Sequence, residues 1–362
     1  MKTAVMKNAW YAVAWSTEVG QKLLERTILG ESLVVFRQQD GTPVVMSNRC
    51  PHRFAPLHLG KLIGDCVQCP YHGLQFDSTG TCSHNPHGKP IKGQLKTFPV
   101  VEKHNLIWMW PGDVTKADEQ YIADFSCLSR EESGFQTVSG VIEMDAHYEL
   151  VSDNLLDLTH ASFVHEGSLG SAAFFQAERE VKVEGTTVWS NLWCPNNTPP
   201  PVWDFRGGKP VDHWLYIRWD APAHMLLDVG ATRPGGTRAE GMWVLGANIL
   251  TPITDTSTRY FWAISRNFDV DNTEMDAQTA VGIDVAFGHQ DKPMIEAQQK
   301  MMGDSTFQEL KPRLMATDLG PMRVREVLRH LIEHNEVPNP AKSKLVDKLS
   351  AVKDVERVEM IV

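Results

Sequence analysis

The chain has 362 residues, 42% of them hydrophobic and 22% charged, enough apolar material for one large domain or two ordinary ones. A net charge of −10, with no dense Lys/Arg run, argues against a surface that holds nucleic-acid phosphates. No stretch approaches the roughly 18 apolar residues of a membrane span, and the start of the chain lacks the apolar core and cleavage site of a secretory signal, so a soluble, cytoplasmic protein is expected.

In chain order, the first 115 residues are read as short strands broken by turns. Ser32–Arg37 and Pro43–Met46 are rich in β-formers, Asp77–Gly80 has turn chemistry, and Leu106–Trp110 is a strand stopped by Pro111 and Gly112. A small all-β domain over 1–116 follows. Residues 117–134 are polar and irregular, and the second domain, 117–362, begins there. Gly140–Val151 is expected to be a strand, as are Val181–Trp193, His213–Trp219, Met225–Val229, Gly241–Leu250 and Thr258–Ser265, with Asn196–Pro201 as a Pro-rich loop. The period then becomes helical over Thr273–Met302 and again over Pro321–Glu333. Strands flanked by helices predict an α+β class, with an antiparallel sheet and helices on one face.

Six cysteines are too few for a disulfide scaffold, and Cys50, Cys66, Cys69 and Cys82 fall close together while Cys127 and Cys194 stand apart. In a reducing compartment such clustering points to metal. The sharpest pattern is Cys50-Pro-His52, sixteen intervening residues, then Cys69-Pro-Tyr-His72. Two loops that each give one thiolate and one imidazole supply the mixed set of a Rieske 2Fe–2S centre, with potentials of about −150 to +300 mV. Two Cys and two His could also hold a structural zinc, although zinc loops usually pair like with like.

A second pattern runs from Asn154 through Asp157 and His160 to His165. Three-residue spacing puts the first three on one helix face. Five further residues turn a helix by about 140°, so the helix must end or distort before His165 if both imidazoles are to meet one ion. Two His and one carboxylate form the open facial set of non-haem Fe(II). Asp291 is the chosen carboxylate, because Pro293 should kink a helix there, although Asp284 and Glu296 stand nearby. Ordinary solvated polar residues are the plain alternative for each.

With both patterns present, the sequence resembles the Rieske non-haem iron oxygenases. Cys50-Pro-His-Arg53-Phe54-Ala55-Pro-Leu57 is similar to their first cluster loop, with Phe54 where Gly is usual. Asp157, His160 and His165 match their D-x-x-H-x-x-x-x-H pattern. Asp291 and Glu296 match the segment of their third ligand, with Gln290 in place of the usual Glu. The likeness covers nearly the whole chain and favours the vanillate and dicamba O-demethylase group, through Asn8–Val13, Ile107–Asp113, Ile249–Pro252 and Ser265–Asp269.

The resemblance implies a Rieske domain followed by a helix-grip catalytic domain, carrying a 2Fe–2S cluster and mononuclear Fe(II) and using O2 as co-substrate. It implies a homotrimer in which Asp157 is no ligand. That residue would instead hydrogen-bond His160 and a cluster ligand of a neighbouring subunit, with Asn154 beside the iron. NAD(P)H would act only through a separate reductase or ferredoxin, since this chain has no dinucleotide fingerprint and no plant-type ferredoxin cysteine series. The implied reaction hydroxylates a methoxy or methyl carbon of a small aromatic acid, a methoxy group leaving as formaldehyde. A ring-hydroxylating dioxygenase, an aryl-methyl hydroxylase and a plain Rieske electron carrier are the rivals. Asn248, Asp228 and Leu227 are taken as pocket-lining candidates, and the remaining histidines, His213 among them, as surface or structural.

Overall fold

The computed structural model describes residues 4–341, which divide into two compact units. Unit one is Met1–Tyr121 with two later segments, Thr251–Asp255 and Ile332–Val337; unit two is the remainder. The first boundary thus falls at Tyr121 rather than 116, and unit one is discontinuous. Its later segments are tied in by polar contacts: Thr251 Oγ1 donates to Ala12 O at 2.8 Å, and Asn8 Nδ2 to Asn335 Oδ1 at 2.9 Å. Sequence patterning sees contiguous stretches only, so it could not assign them.

Unit one is all β, as expected. Strands β1 (Tyr11–Trp15), β2 (Leu24–Ile28), β3 (Glu31–Arg37), β4 (Pro43–Ser47), β5 (Lys61–Ile63), β6 (Cys66–Gln68), β7 (Gln75–Phe76), β8 (Cys82–His84), β9 (Val100–Lys103) and β10 (Leu106–Met109) form three small sheets, ordered β1-β10-β9, β2-β3-β4 and β5-β6-β7-β8. Val34, Phe36, Val67, Leu74 and Phe76 pack with Cys50 and Cys69 in one buried cluster. The two cysteines are therefore part of the hydrophobic core.

Unit two is built on a seven-stranded sheet. Its strands are β11 (Gln136–Met144), β12 (Glu178–Glu184), β13 (Thr187–Asn197), β14 (Val211–Asp220), β15 (His224–Thr232), β16 (Met242–Thr254, whose end lies in unit one) and β17 (Ser257–Arg266), in the order β11-β17-β16-β15-β14-β13-β12. The β11–β17 pairing and the successive pairings from β12 to β16 are antiparallel. Two expected strands are corrected. Val181–Trp193 is a hairpin, folded at Gly185 with φ of +60°, a left-handed conformation that glycine takes at little steric cost. Gly140–Val151 is β11 followed by the start of a helix, because Tyr148, Val151, Ser152 and Leu155 recur at the i, i+3, i+4, i+7 spacing of a buried helix face.

The helices are α1 (Arg130–Ser133), α2 (Tyr148–Leu156), α3 (Ala161–Val164), α4 (Thr273–Ile283), α5 (Lys292–Met302), α6 (Phe307–Leu310) and α7 (Leu319–Glu333). Between α4 and α5, residues Asp284–Asp291 form a π-helix, where a kink at Pro293 had been expected. Proline has no N–H to donate to the preceding turn. The widened winding just before it absorbs that loss without a break in the helical run, as π segments do at functional sites. Among the described residues no helix is long and apolar enough to cross a membrane.

Candidate metal centres

The two cysteine loops share one backbone plan. In the first, Cys50 N donates to Ala55 O at 3.0 Å and Phe54 N to Cys50 O at 2.8 Å. In the second, Cys69 N donates to Leu74 O at 2.7 Å and Gly73 N to Cys69 O at 3.1 Å. The residue four after each cysteine is left-handed: φ is +60° at Phe54 and +76° at Gly73. That backbone requirement explains why glycine suits position 54. Phe54 occupies it with its ring 68% exposed and the Arg49 guanidinium 5.4 Å from the ring centroid.

Cys50 and Cys69 are buried, at 1% and 3% exposure, while His52 is exposed and His72 partly so. Burial pushes the Cys50 thiol up to about 11, a site that favours a thiolate only beside a cation. The His52 and His72 rings lie 4.7 Å apart, and His72 Nδ1 is buried without a partner, a lone pair placed as a metal ligand requires. Burial, then the neighbouring His52, His87 and Arg53, hold the His72 imidazole below its ordinary range, in the neutral form that binds metal. A tetrahedral zinc with bonds of about 2.0–2.3 Å would draw all four donors within about 4 Å of one another. Among the described residues, the one cluster of three such side chains gathered closely enough for a single ion is His160, His165 and Asp291, and the two cysteine loops form none. A two-iron cluster, with a thiolate pair and an imidazole pair, fits; a single zinc does not.

In unit two, α2 stops at Asp157, whose carboxylate caps the following 3-10 turn, Leu158–His160, by accepting from Thr159 N at 3.1 Å and Thr159 Oγ1 at 2.6 Å. α3 then ends at Val164, and His165 takes a non-helical conformation (φ −110°, ψ 34°). These two interruptions supply the rotation that one continuous helix could not. His160 and His165 come to 5.3 Å between ring centroids. Asp291, 3% exposed at the end of the π-helix, meets both: Oδ1 is 3.3 Å from His160 Nε2 and Oδ2 is 3.2 Å from His165 Nε2.

The outer nitrogens are held separately. His160 Nδ1 bonds Asp157 O at 2.6 Å, and His165 Nδ1 bonds Gln290 Oε1 at 2.7 Å. Both partners are acceptors, so each Nδ1 carries the proton and each Nε2 presents a lone pair to the common point. His160 Nε2 is buried and finds no well-aligned hydrogen bond despite its nearness to Asp291. Burial raises the Asp291 carboxyl, but the two imidazoles outweigh it and bring it down to about 2. Burial disfavours charge on His165 too, yet Asp291 and Gln290 leave its affinity for a proton above the ordinary value. A proton taken up at His165 Nε2 is what a divalent cation would displace.

Asn154 donates from Nδ2 to Asp291 Oδ1 at 3.2 Å. Asp157 reaches His160 through its backbone carbonyl, whereas the resemblance had suggested the side chain; its Oδ1 accepts from Thr159. Asp284 is exposed beside His289, and Glu296 accepts from Asp145 N at 2.9 Å, so neither competes with Asp291. Leu227 packs on the sheet face that also contacts Leu158 and Ala161. Asp228, one residue on, lies on the opposite face of β15. There it accepts from Trp214 Nε1 at 2.9 Å and pairs with Arg238 at 2.9 Å, so it is a structural ion pair and lines no pocket on the Leu227 face. Asn248 is tied up as well: Tyr260 Oη donates to its Oδ1, and its Nδ2 donates to Gly246 O at 3.2 Å. Sequence reading missed Tyr260, whose ring stacks on Phe287 of the π-helix at 5.7 Å. No spacing or composition signal singles it out.

Replacing Gln290 with leucine removes the acceptor on His165 Nδ1. Mononuclear iron affinity is expected to fall about 10- to 100-fold, the usual cost of losing such a partner, with the iron–sulfur absorption unchanged; competition with a ferrous chelator measures it.

Fold and site together define an oxygenase with an iron–sulfur domain and a separate metal-binding domain, and similarity to known proteins agrees. Residues 9–99 match the Rieske [2Fe-2S] domain, and residues 144–334 match the vanillate O-demethylase oxygenase C-terminal domain. The chain is 39% identical to a chloroacetanilide N-alkylformylase oxygenase component of Rhizorhabdus wittichii, over 91% of this chain and 96% of that one. It is 38% identical to the dicamba O-demethylase oxygenase component of Stenotrophomonas maltophilia, over 90% and 97%. The crystal structure of dicamba monooxygenase bound to dicamba superposes with a TM-score of 0.85 at 37% identity, covering 92% of this chain and 99% of that chain. The protein belongs to the Rieske non-haem iron oxygenases, in the vanillate O-demethylase group, and is the oxygenase component of a Rieske monooxygenase system.

Proposed function

We propose that the protein hydroxylates a methoxy or methyl carbon of a small aromatic acid, with O-demethylation as its principal reaction. Cys50, Cys69, His52 and His72 hold the 2Fe–2S cluster, and His160, His165 and Asp291 hold the mononuclear Fe(II). When bound, the two centres supply one-electron transfer and dioxygen activation respectively. The balance for a methoxyarene is one substrate, one O2, two electrons and two protons giving a phenol, formaldehyde and water. The electrons come from a separate reductase or ferredoxin. The oxygen inserted at the methyl carbon gives a hemiacetal, whose collapse breaks the carbon–oxygen bond.

The observation that carries this reading is the convergence of two lone-pair imidazole nitrogens on a carboxylate, each imidazole fixed from behind by an oxygen acceptor. The chain's own part is to bind and orient. Asp157 O and Gln290 aim the imidazoles, Asn154 holds Asp291, and apolar side chains exclude water. The exposed His52 edge suits electron entry, and a homotrimer, with Asp157 linking His160 to a partner subunit's cluster, completes the reading.

Formaldehyde should appear one-for-one with dioxygen consumed when methoxylated benzoates are supplied with a compatible reductase. A ring diol in its place would mark a dioxygenase, and a benzylic alcohol from methylated rings would mark an aryl-methyl hydroxylase.

A further inference from the structure

His213 is 2% exposed near the start of β14, and no part of the iron site uses it. Register places it beside Cys194 on β13 and Ala231 on β15. It therefore shares a sheet face with Leu192, Cys194, Val211, Leu215, Val229 and Ala231. Those residues pack in one buried cluster with Ala161, the residue after His160, and with Phe174 and Trp203. His213 is thus on the face that meets the iron-bearing turn. Its ring lies nearly parallel to Phe174 at 6.0 Å, with Trp203 at 5.9 Å.

The two ring nitrogens have different fates. Nδ1 lies 2.8 Å from Gly230 O, and a carbonyl can only accept, so Nδ1 carries the proton. Nε2 is then an acceptor, and it is buried without a partner. Burial drives this imidazole down to about 4, so at neutral pH it stays uncharged with its lone pair available. An orphaned acceptor in an apolar layer costs stability unless something satisfies it. A structural histidine with both nitrogens paired would carry no such signal.

We infer that His213 Nε2 is a substrate-anchoring acceptor, which selects aromatic substrates bearing a hydrogen-bond donor on the ring, such as a phenolic O–H or an anilide N–H. The inference rests on the proposed oxygenase site and adds the polarity of its substrate. A neutral acceptor repels a carboxylate, so an acid group of the same substrate binds elsewhere. Rings that offer only ether or halogen acceptors leave Nε2 unpaired, and discrimination against a missing partner is stronger than discrimination by shape.

The test uses phenol and toluene, nearly isosteric rings that differ in the donor, titrated calorimetrically into the anaerobic holoenzyme. Wild type should prefer phenol over toluene by about 10- to 100-fold, the range expected for satisfying one buried acceptor. In H213L that preference should fall to below about threefold. H213Q, which keeps a carbonyl acceptor and guards against loss of folding in the leucine variant, should recover part of it. Equal binding of the two rings to wild type, no binding of either, or an unchanged preference in both variants overturns the inference. Formaldehyde release reports separately on the proposed reaction. If phenol selectivity vanishes in H213L but no methoxyarene is demethylated, the reaction is misassigned and His213 stands.

Discussion

His160→Ala is expected to leave the iron–sulfur chromophore and the electron paramagnetic resonance of the reduced protein intact while turnover falls by about 10³-fold or more. Iron content should drop from about three to about two atoms per chain. The reasons are local. In the proposed ligand set His160 is one of three donors, its Nε2 is buried with no well-aligned alternative partner, and Asp291 Oδ1 loses the neighbour it now has at 3.3 Å. The cluster residues belong to unit one and His160 to unit two, so the spectroscopic readout and the catalytic one separate cleanly. Metal analysis, reduced-state spectra and oxygen uptake together decide the matter. Retained turnover, or loss of both signals at once, would show that the ligand set is wrong.

Cys69→Ser should have the opposite signature. Cluster iron and acid-labile sulfide should fall to roughly a tenth or less of wild type, while mononuclear iron stays near one atom per chain. Serine is a harder donor with a far higher pKa, and position 69 is 3% exposed within the apolar cluster formed by Val67, Leu74 and Phe76. A hydroxyl there is neither a competent ligand nor a good core residue. Turnover with any reductase should vanish, because the entry point for electrons is gone. Circular dichroism is the control, since near-wild-type secondary structure with lost colour assigns the effect to the centre and not to unfolding. A fully coloured C69S protein would place the cluster elsewhere.

The two substitutions dissect what the chain itself makes legible. Both loops of the first centre can be read directly, because each thiolate and imidazole pair lies within four residues and the turn chemistry around it is local. Position 54 shows how far that legibility reaches. A departure from glycine is visible in sequence, and the backbone supplies its meaning, a φ of +60°. His160 and His165 are legible as a pair, but the means of bringing them together is not. That required the stop at Asp157 and the second break after Val164, set by side-chain capping and packing. Asp291 could be proposed from likeness, whereas its selection over Asp284 and Glu296 depends on which side chain the π-helix turns inward.

Other features lay outside any local pattern. Asp228 and Leu227 are adjacent in the chain, yet they face opposite sides of β15, so one pairs with Arg238 and the other packs toward the turn that carries His160. β14 is legible as a strand, but its burial on both faces is not, because its charges pair within the strand itself; Arg218 meets Asp220 at 2.7 Å. His213 was indistinguishable from any other histidine until register and burial isolated its Nε2.

By itself the sequence determined the donor types, the α+β class and the family, because ligand chemistry and strand or helix periods are written in residues a few positions apart. Tertiary structure alone decided which carboxylate joins the two imidazoles, which oxygen orients His165, where unit one recovers its distant segments, and which face of each strand looks toward the His160–His165 turn. Those outcomes depend on contacts between residues more than a hundred positions apart, such as Asn154 with Asp291 and His165 with Gln290, and no local period encodes them.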